Sequence, residues 1–344
     1  MAKIDLYDLD LAALEARMAA WGEPRESART VWEALYRRCE TDLEQVDGLS
    51  PSLRERLAAE TTLTVPRVLA RQEGRGGEAR KDLLEMADGR RVEVVLLRYR
   101  DRRSGCISTQ VGCGCGCRFC ATGQMGFVRQ LTAAEIVAQV LHLQRELMGW
   151  GERLSNVVLM GMGEPLLNYD HTLSAVRRLI DPRGIALPQR RVTLSTVGIV
   201  PGIDRLAGED LQIPLAVSLH AATDELRDQL VPINQQYPLD ALFAAVARYA
   251  SQTGRRVMFE WVLIDGLTDT RAQAEALVAR LADLPAHVNL IRLNDTPGFD
   301  GRTATDEAID AFGTVLDRAG IPHTMRQRRG GEIAAGCGQL ATRG

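Results

Sequence analysis

Apolar residues at the start of the chain recur at helical spacing. Leu11, Leu14 and Met18 fall on one face, and Gly22 offers a stop. Pro24 can open a second helix carrying Val31, Trp32, Leu35 and Tyr36. Ser50 followed by Pro51 is an N-cap and first-turn signal for a third. Residues 1–66 are therefore expected to form a small helical accessory domain. The stretch 72–80 is Gly-rich and charged, which predicts a linker or mobile loop. Asp88-Gly89 stands between two strand-like runs, 81–86 and 91–98, and predicts a hairpin. On the second run Val92, Val94 and Leu96 share one face, and Glu93 falls on the other with Val95 and Leu97. Linker and hairpin together occupy 67–104.

From 105 to 344 the pattern alternates strand and helix. Strand-like runs are 106–111, 157–160, 191–195, 215–218, 257–263 and 288–293. The clearest helix opens with a capping box, Thr132 and Glu135, and continues through Ile136, Val140, Leu143 and Leu147. Six β-α units imply a parallel sheet with helical crossovers, an α/β fold. That count favours a partial (β/α)6 barrel over a full eight-unit one, with a doubly wound sheet as the alternative.

The 344 residues are 45% hydrophobic and 25% charged, which excludes a disordered, collagenous or coiled-coil chain. No apolar run is long enough to span a bilayer. The opening Met-Ala-Lys-Ile-Asp lacks the basic and apolar regions of a signal peptide, so the expected compartment is cytoplasmic. A net charge of −3 neither announces nor excludes a nucleic-acid binder, because local patches outweigh the sum.

The cysteines change the picture. Cys106, Cys113, Cys115, Cys117 and Cys120 crowd one stretch, which points to metal or redox chemistry rather than a disulfide scaffold. Cys113, Cys117 and Cys120 stand as Cys-x3-Cys-x2-Cys in a Gly-rich loop after a predicted strand. Three thiolates can hold three irons of a [4Fe–4S] cluster and leave the fourth open to a small ligand, where most clusters use four cysteines. A structural zinc site would need a fourth ligand; Cys115 could supply one, but in crowded geometry. Cys115 breaks the ligand spacing and reads as a spectator. The motif, with Phe119 before its last Cys, resembles the signature of the radical SAM superfamily. The resemblance implies that S-adenosylmethionine chelates the open iron and is cleaved there to a 5′-deoxyadenosyl radical.

Other polar groups fall where such a site predicts, at the carboxyl ends of parallel strands. Gly161-Met-Gly163-Glu164-Pro165 follows the second strand. Its small residues would let backbone approach the cofactor, and Glu164 can bind its ammonium. Ser195 follows the third strand, Ser218-Leu219-His220 the fourth and Asn294 the sixth. Any one of these could be a turn or cap.

Together these segments resemble the RlmN/Cfr family of radical SAM RNA adenosine methyltransferases. The matching segments are 106–113, 119–123, 161–168, 192–196, 218–220, 227–234 and 336–340. The resemblance implies that Cys337 accepts a methyl group from a first S-adenosylmethionine. The radical from a second takes a hydrogen from that S-methyl group, and the methylene adds to C2 or C8 of an adenine. Cys106 matches the residue that attacks the Cys337 sulfur, forming a transient disulfide and freeing the methylated base. Glu93 matches the proton acceptor; without the resemblance it would read as a surface strand carboxylate. Arg98, Arg100, Arg102 and Arg103 form one basic stretch and Arg326, Arg328 and Arg329 another, either of which could hold phosphates or simply face solvent.

The expected reaction is C2 methylation of an adenosine in 23S rRNA and in a tRNA anticodon loop. C8 methylation uses the same cysteines and stays open. A non-catalytic Fe–S RNA-binding protein needs neither Cys106 nor Cys337. Expected partners are 23S rRNA, tRNA and an electron donor such as flavodoxin or ferredoxin, with a monomeric chain and no membrane.

Overall fold

Asp10 and Ser50 cap the first and third helices, accepting from the amides of Ala13 and Leu53. The computed structural model describes residues 3–342. Helices α1 (Leu11–Ala20), α2 (Arg25–Tyr36) and α3 (Pro51–Glu60) bury the predicted Leu14, Met18, Trp32 and Leu35. A short parallel pair, β1 (Ile4–Asp5) and β2 (Thr61–Thr62), ties the two ends of this unit together.

The stretch 72–80 is not a mobile linker. Strands β3 (Arg67–Glu73) and β4 (Ala79–Glu85) pair antiparallel across a turn in which Gly76 and Gly77 both have φ +68°. The strand pattern is hidden because β3 is an exposed edge strand carrying charged side chains. The Asp88-Gly89 hairpin forms as expected, with Gly89 at φ +79° and the Met86 amide donating to the Arg90 carbonyl at 2.7 Å. It leads into β5 (Arg91–Arg98), which pairs with β4 and with β6 (Arg103–Cys106).

The run 106–111 is not one strand. Strand β6 ends at Cys106, while β7 (Gln110–Gly112) leaves the sheet to pair with β8 (Phe127–Gln130). The break is caused by a side chain from α5 (Ala133–Met148). The side-chain amide of Gln139 accepts from the Ser108 N–H at 2.8 Å and donates to the Ser108 carbonyl at 3.0 Å. Those are the backbone groups a ladder would have used.

Between β7 and β8 lies α4 (Ala121–Met125), and α5 (Ala133–Met148) follows β8 with the capping box in place. Beyond it come β9 (Asn156–Leu159), α6 (Tyr169–Ile180), β10 (Val192–Thr196), α7 (Val200–Ala207) and β11 (Leu215–Ser218). Then follow α8 (Asp224–Leu230), α9 (Leu239–Thr253), β12 (Val257–Leu263), α10 (Arg271–Leu281), β13 (Ala286–Arg292), α11 (Asp306–Arg318) and β14 (His323–Met325). One ten-stranded sheet results, ordered β14-β13-β12-β11-β10-β9-β6-β5-β4-β3. From β6 to β14 every pairing is parallel. The six expected units are present, and β14 adds a short seventh strand that the sequence pattern does not reveal. The sheet keeps two edges, as a partial barrel does. No helix among the described residues is long and apolar enough to cross a membrane.

Candidate active site

The chain leaves β7 at Gly112, loops through Cys113–Cys120 and enters α4. Gly123 is required here: a Cβ would lie 2.8 Å from the Cys117 carbonyl oxygen, so a larger residue would push the loop off the helix. The Cys120 amide donates to that same carbonyl at 3.2 Å, and the Cys113 amide to Gly126 at 2.9 Å. The folded loop sets Cys113, Cys117 and Cys120 on the wall of one cavity. Burial raises the Cys117 and Cys120 thiol pKa values. Cys113 is held lower by a hydrogen bond from the Cys115 thiol. Cys115, outside the ligand spacing, is buried, lines the same cavity and hydrogen-bonds a proposed ligand.

The strand ends complete the cavity. Gly161 packs directly on the loop after β6, where a Cβ would stand 2.6 Å from the Ile107 carbonyl oxygen. Gly163, Glu164, Ser195, Ser218, His220 and Asn294 all line the wall. Glu164 accepts from the amides of Leu166 at 2.9 Å and Val197 at 2.7 Å, one on each oxygen. Each oxygen keeps a lone pair for a further donor. Burial outweighs these bonds and lifts the carboxyl pKa to about 7; a cation beside it would lower it again. The Ser195 and Ser218 hydroxyls stand 3.5 Å apart on adjacent strands. His220 adopts φ +63°, and its Nδ1 accepts from the Val262 amide at 3.1 Å. Burial, with Arg227 nearby, pushes its pKa down to about 3, so the ring is neutral. It meets Phe119 edge-on at 4.8 Å, bracing the cysteine loop. Leu219 is the exception. It is fully buried, its amide donates to the Glu260 carbonyl, and its side chain is not on the cavity wall.

The C-terminal segment closes the cavity. The Gly338 carbonyl accepts from the Ala121 amide at 2.7 Å and the Leu340 carbonyl from the Thr122 hydroxyl at 2.6 Å. The Asn294 side chain donates to the Cys337 carbonyl at 3.1 Å. These bonds seat Cys337 on the cavity wall with the three loop thiols. Cys106, at the end of β6, lies within electrostatic reach of Cys337. Glu93 faces a second cavity of about 600 Å³ on the other side of this segment, which Gln339 and Ala341 also line. Its carboxylate accepts from Lys81 Nζ and from the Ala341 amide, each at 2.9 Å. The tail thus carries Cys337 on the wall of one cavity and binds Glu93, through Ala341, on the wall of the other.

Two groups escape the sequence reading. Arg227 is wholly buried and has no carboxylate within ion-pair distance among the described residues. It donates instead to the carbonyls of Val197 at 2.6 Å, Leu219 at 3.1 Å and Ser218 at 3.3 Å, and to Asn234 Oδ1 at 2.8 Å. It thereby ties the ends of β10 and β11 together. Glu260 lies on the cavity wall, its Oε1 accepting from Asn289 at 2.9 Å and Arg326 at 3.0 Å. Its Oε2 is buried with no partner among the described residues. The available signal was an acidic residue inside the apolar run of β12.

This donor set fits the expected group. Three thiols share one wall, and the orphaned Glu260 oxygen needs a donor that a cationic, hydroxyl-bearing ligand such as S-adenosylmethionine carries.

Comparison with known proteins gives the same direction. Residues 107–277 match the Radical SAM superfamily. The chain is 49% identical to the dual-specificity RNA methyltransferase RlmN 1 of Myxococcus xanthus over 336 residues, covering 98% of this chain and 94% of that protein. It is 46% identical to a probable dual-specificity RNA methyltransferase RlmN of Chloroflexus aurantiacus, covering 98% of this chain and 93% of that one. A solved radical SAM methyltransferase from Sphaerobacter thermophilus superposes with a TM-score of 0.95 at 48% identity, covering 98% and 99% of the two chains.

Proposed function

Because the chain belongs to the RlmN family of radical SAM RNA methyltransferases, we propose that it methylates C2 of an adenosine in 23S rRNA and in a tRNA anticodon loop. The family implies a [4Fe–4S] cluster and S-adenosylmethionine, which when bound supply one-electron cleavage and a methyl source. Cys113, Cys117 and Cys120 would hold the cluster. Gly163, Glu164, Ser195, Ser218, His220 and Asn294 would line the S-adenosylmethionine site, and Glu260 Oε2 would accept from one of its donors.

The observation that carries the reading is the seat of Cys337. A lone cysteine near the end of the chain is held by backbone bonds on the same wall as the three loop thiols. In our reading Cys337 carries the one-carbon unit to the ring: a hydrogen leaves its S-methyl group for the radical that cofactor cleavage supplies, the methylene carbon bonds C2, and the adduct's unpaired electron would pass back to the cluster. Glu93 takes the C2 proton once the Ala341 amide releases its carboxylate; Lys81 keeps it oriented. The Cys106 thiolate then attacks the Cys337 sulfur. An S–S bond forms, the C–S bond breaks, and its electron pair passes to the methylene carbon, which is protonated to the methyl group. A flavodoxin or ferredoxin supplies electrons.

The test is anaerobic reconstitution with iron, sulfide and S-adenosylmethionine, then nucleoside mass spectrometry of rRNA and tRNA incubated with the protein. We expect 2-methyladenosine. An 8-methyladenosine product would reassign the ring position. No methylated adenosine from reduced, cluster-loaded protein would overturn the reading.

A further inference from the structure

The two basic stretches seen in the sequence meet in the fold. The turn 99–102 joins β5 to β6, and residues 326–329 follow β14 on the way to Cys337. Arg329 Nη1 donates to the Arg98 carbonyl at 3.2 Å. The Tyr99 ring stacks under two guanidiniums, Arg102 at 3.9 Å and Arg329 at 4.6 Å. Beside it, Arg98 lies 3.9 Å from the ring of Trp150, its Nε and Nη2 buried without a partner among the described residues, so it adds charge beneath the surface rather than an exposed fork.

Charge pairing is incomplete. Arg103 is paired with Glu152, Arg326 with Glu260 and Arg329 with Glu78. Arg102 has only a 3.9 Å contact to Asp101. Arg98, Arg100 and Arg328 have no carboxylate within ion-pair distance among the described residues. Arg100 and Arg328 are exposed. The result is a local cationic patch on a chain of net charge −3. How the arginines are fixed matters. A carboxylate at close range would neutralise Arg102, whereas the Tyr99 face orders its side chain and leaves its charge and planar donors available. Ordering in advance removes part of the entropic cost of binding.

We propose that the β5–β6 turn and the segment 326–329 form one surface that grips the phosphodiester backbone of the substrate RNA. The partner follows from the chemistry: forked guanidiniums held on aromatic rings suit phosphates. The location agrees, since Arg326 lies within electrostatic reach of both Cys337 and Cys106. This surface rests on the chain acting on RNA.

The test compares the parent protein with a triple variant, Arg100→Gln, Arg102→Gln and Arg328→Gln, in filter binding of a 23S rRNA transcript over a KCl series. Each arginine taken away from a phosphate lowers the salt slope by about 0.7–0.9, so the triple variant should lose roughly 2–3 units of slope and bind at least tenfold more weakly. S-methylation of Cys337 by S-adenosylmethionine without RNA, read by peptide mass spectrometry, should persist and shows that the fold and cofactor site survive. Tyr99→Leu should weaken binding several-fold while keeping most of the slope, because Arg102 keeps its charge but loses its support. An unchanged salt slope in the triple variant overturns the proposal. If that variant keeps its slope but is no longer reduced by an acidic flavodoxin, the surface belongs to a protein partner and the proposal again fails. Failure of the enzymatic reading would appear separately, as parent protein that makes no methyladenosine.

Discussion

In the proposed reaction, release of the methylated base depends on Cys106, and the fold makes that step sensitive to pH. In the free protein burial first, then the neighbouring Cys337 thiol, pushes the Cys106 thiol from 9.0 up to about 12, while the Met160 backbone and Arg326 pull the other way; in the adduct, where Cys337 is a thioether, burial remains the cause that raises it. At pH 8 the thiolate is then about one part in ten thousand, against roughly one in ten for the unperturbed thiol. The more basic thiolate is also the better nucleophile. With a Brønsted slope of about 0.4–0.5, three units return about 15–30-fold. The net handicap is about 30–60-fold at pH 8. The sign is clear: a raised pKa keeps the thiol protonated, so release is slow at low pH and accelerates as pH rises toward 12. We expect the rate to climb about tenfold per pH unit between roughly pH 7 and 10. Arg326→Gln removes the one charged group that lowers this pKa and should slow release across that range. The assay accumulates the RNA–protein adduct at low pH, jumps the pH, quenches, and follows loss of the RNase-sensitive mass shift. A release rate independent of pH, or a faster Arg326→Gln variant, would refute the reasoning.

The other predictions test single contacts. Cys337→Ala should load iron normally yet yield no methylated RNA, since the one-carbon carrier is gone; iron analysis and nucleoside mass spectrometry read both. Cys106→Ala should trap the covalent adduct, and clean turnover would remove Cys106 from its assigned role. Arg227→Met leaves the Val197, Ser218 and Leu219 carbonyls without their buried donor. It should cost about 3–5 kcal/mol in urea unfolding, and a loss under about 1 kcal/mol would show that the carbonyls find other partners. Cys115→Ala should raise the Cys113 pKa, seen as slower alkylation of the cluster-free protein, while iron loading persists.

Much of this protein could be read from its sequence because the signals are local. A capping box specifies α5 wherever it sits, and Asp-Gly specifies a hairpin by its turn geometry alone. The spacing of Cys113, Cys117 and Cys120 is local for the same reason: one loop carries all three proposed ligands. Cys337 was legible only through the family resemblance, since a lone cysteine in a Gly-rich tail has no local signal. What the sequence hid was non-local. Strand β3 was masked because an edge strand can carry charge on both faces. The run 106–111 broke because Gln139, on a distant helix, takes the Ser108 backbone.

The site divides along the same line. Residue types and their order determined which groups could ligate, carry a methyl or attack sulfur. Only the tertiary structure decided their company. It gave Glu260 an unpartnered oxygen on the cavity wall, buried Arg227 among carbonyls, and joined the tail that carries Cys337 to Glu93 through the Ala341 amide. It also merged two basic stretches, separated by more than half the chain, into one surface. The physical reason is that burial, desolvation and charge proximity are properties of neighbours in space. A chain's local pattern specifies its elements, but those neighbours exist only once the sheet is assembled.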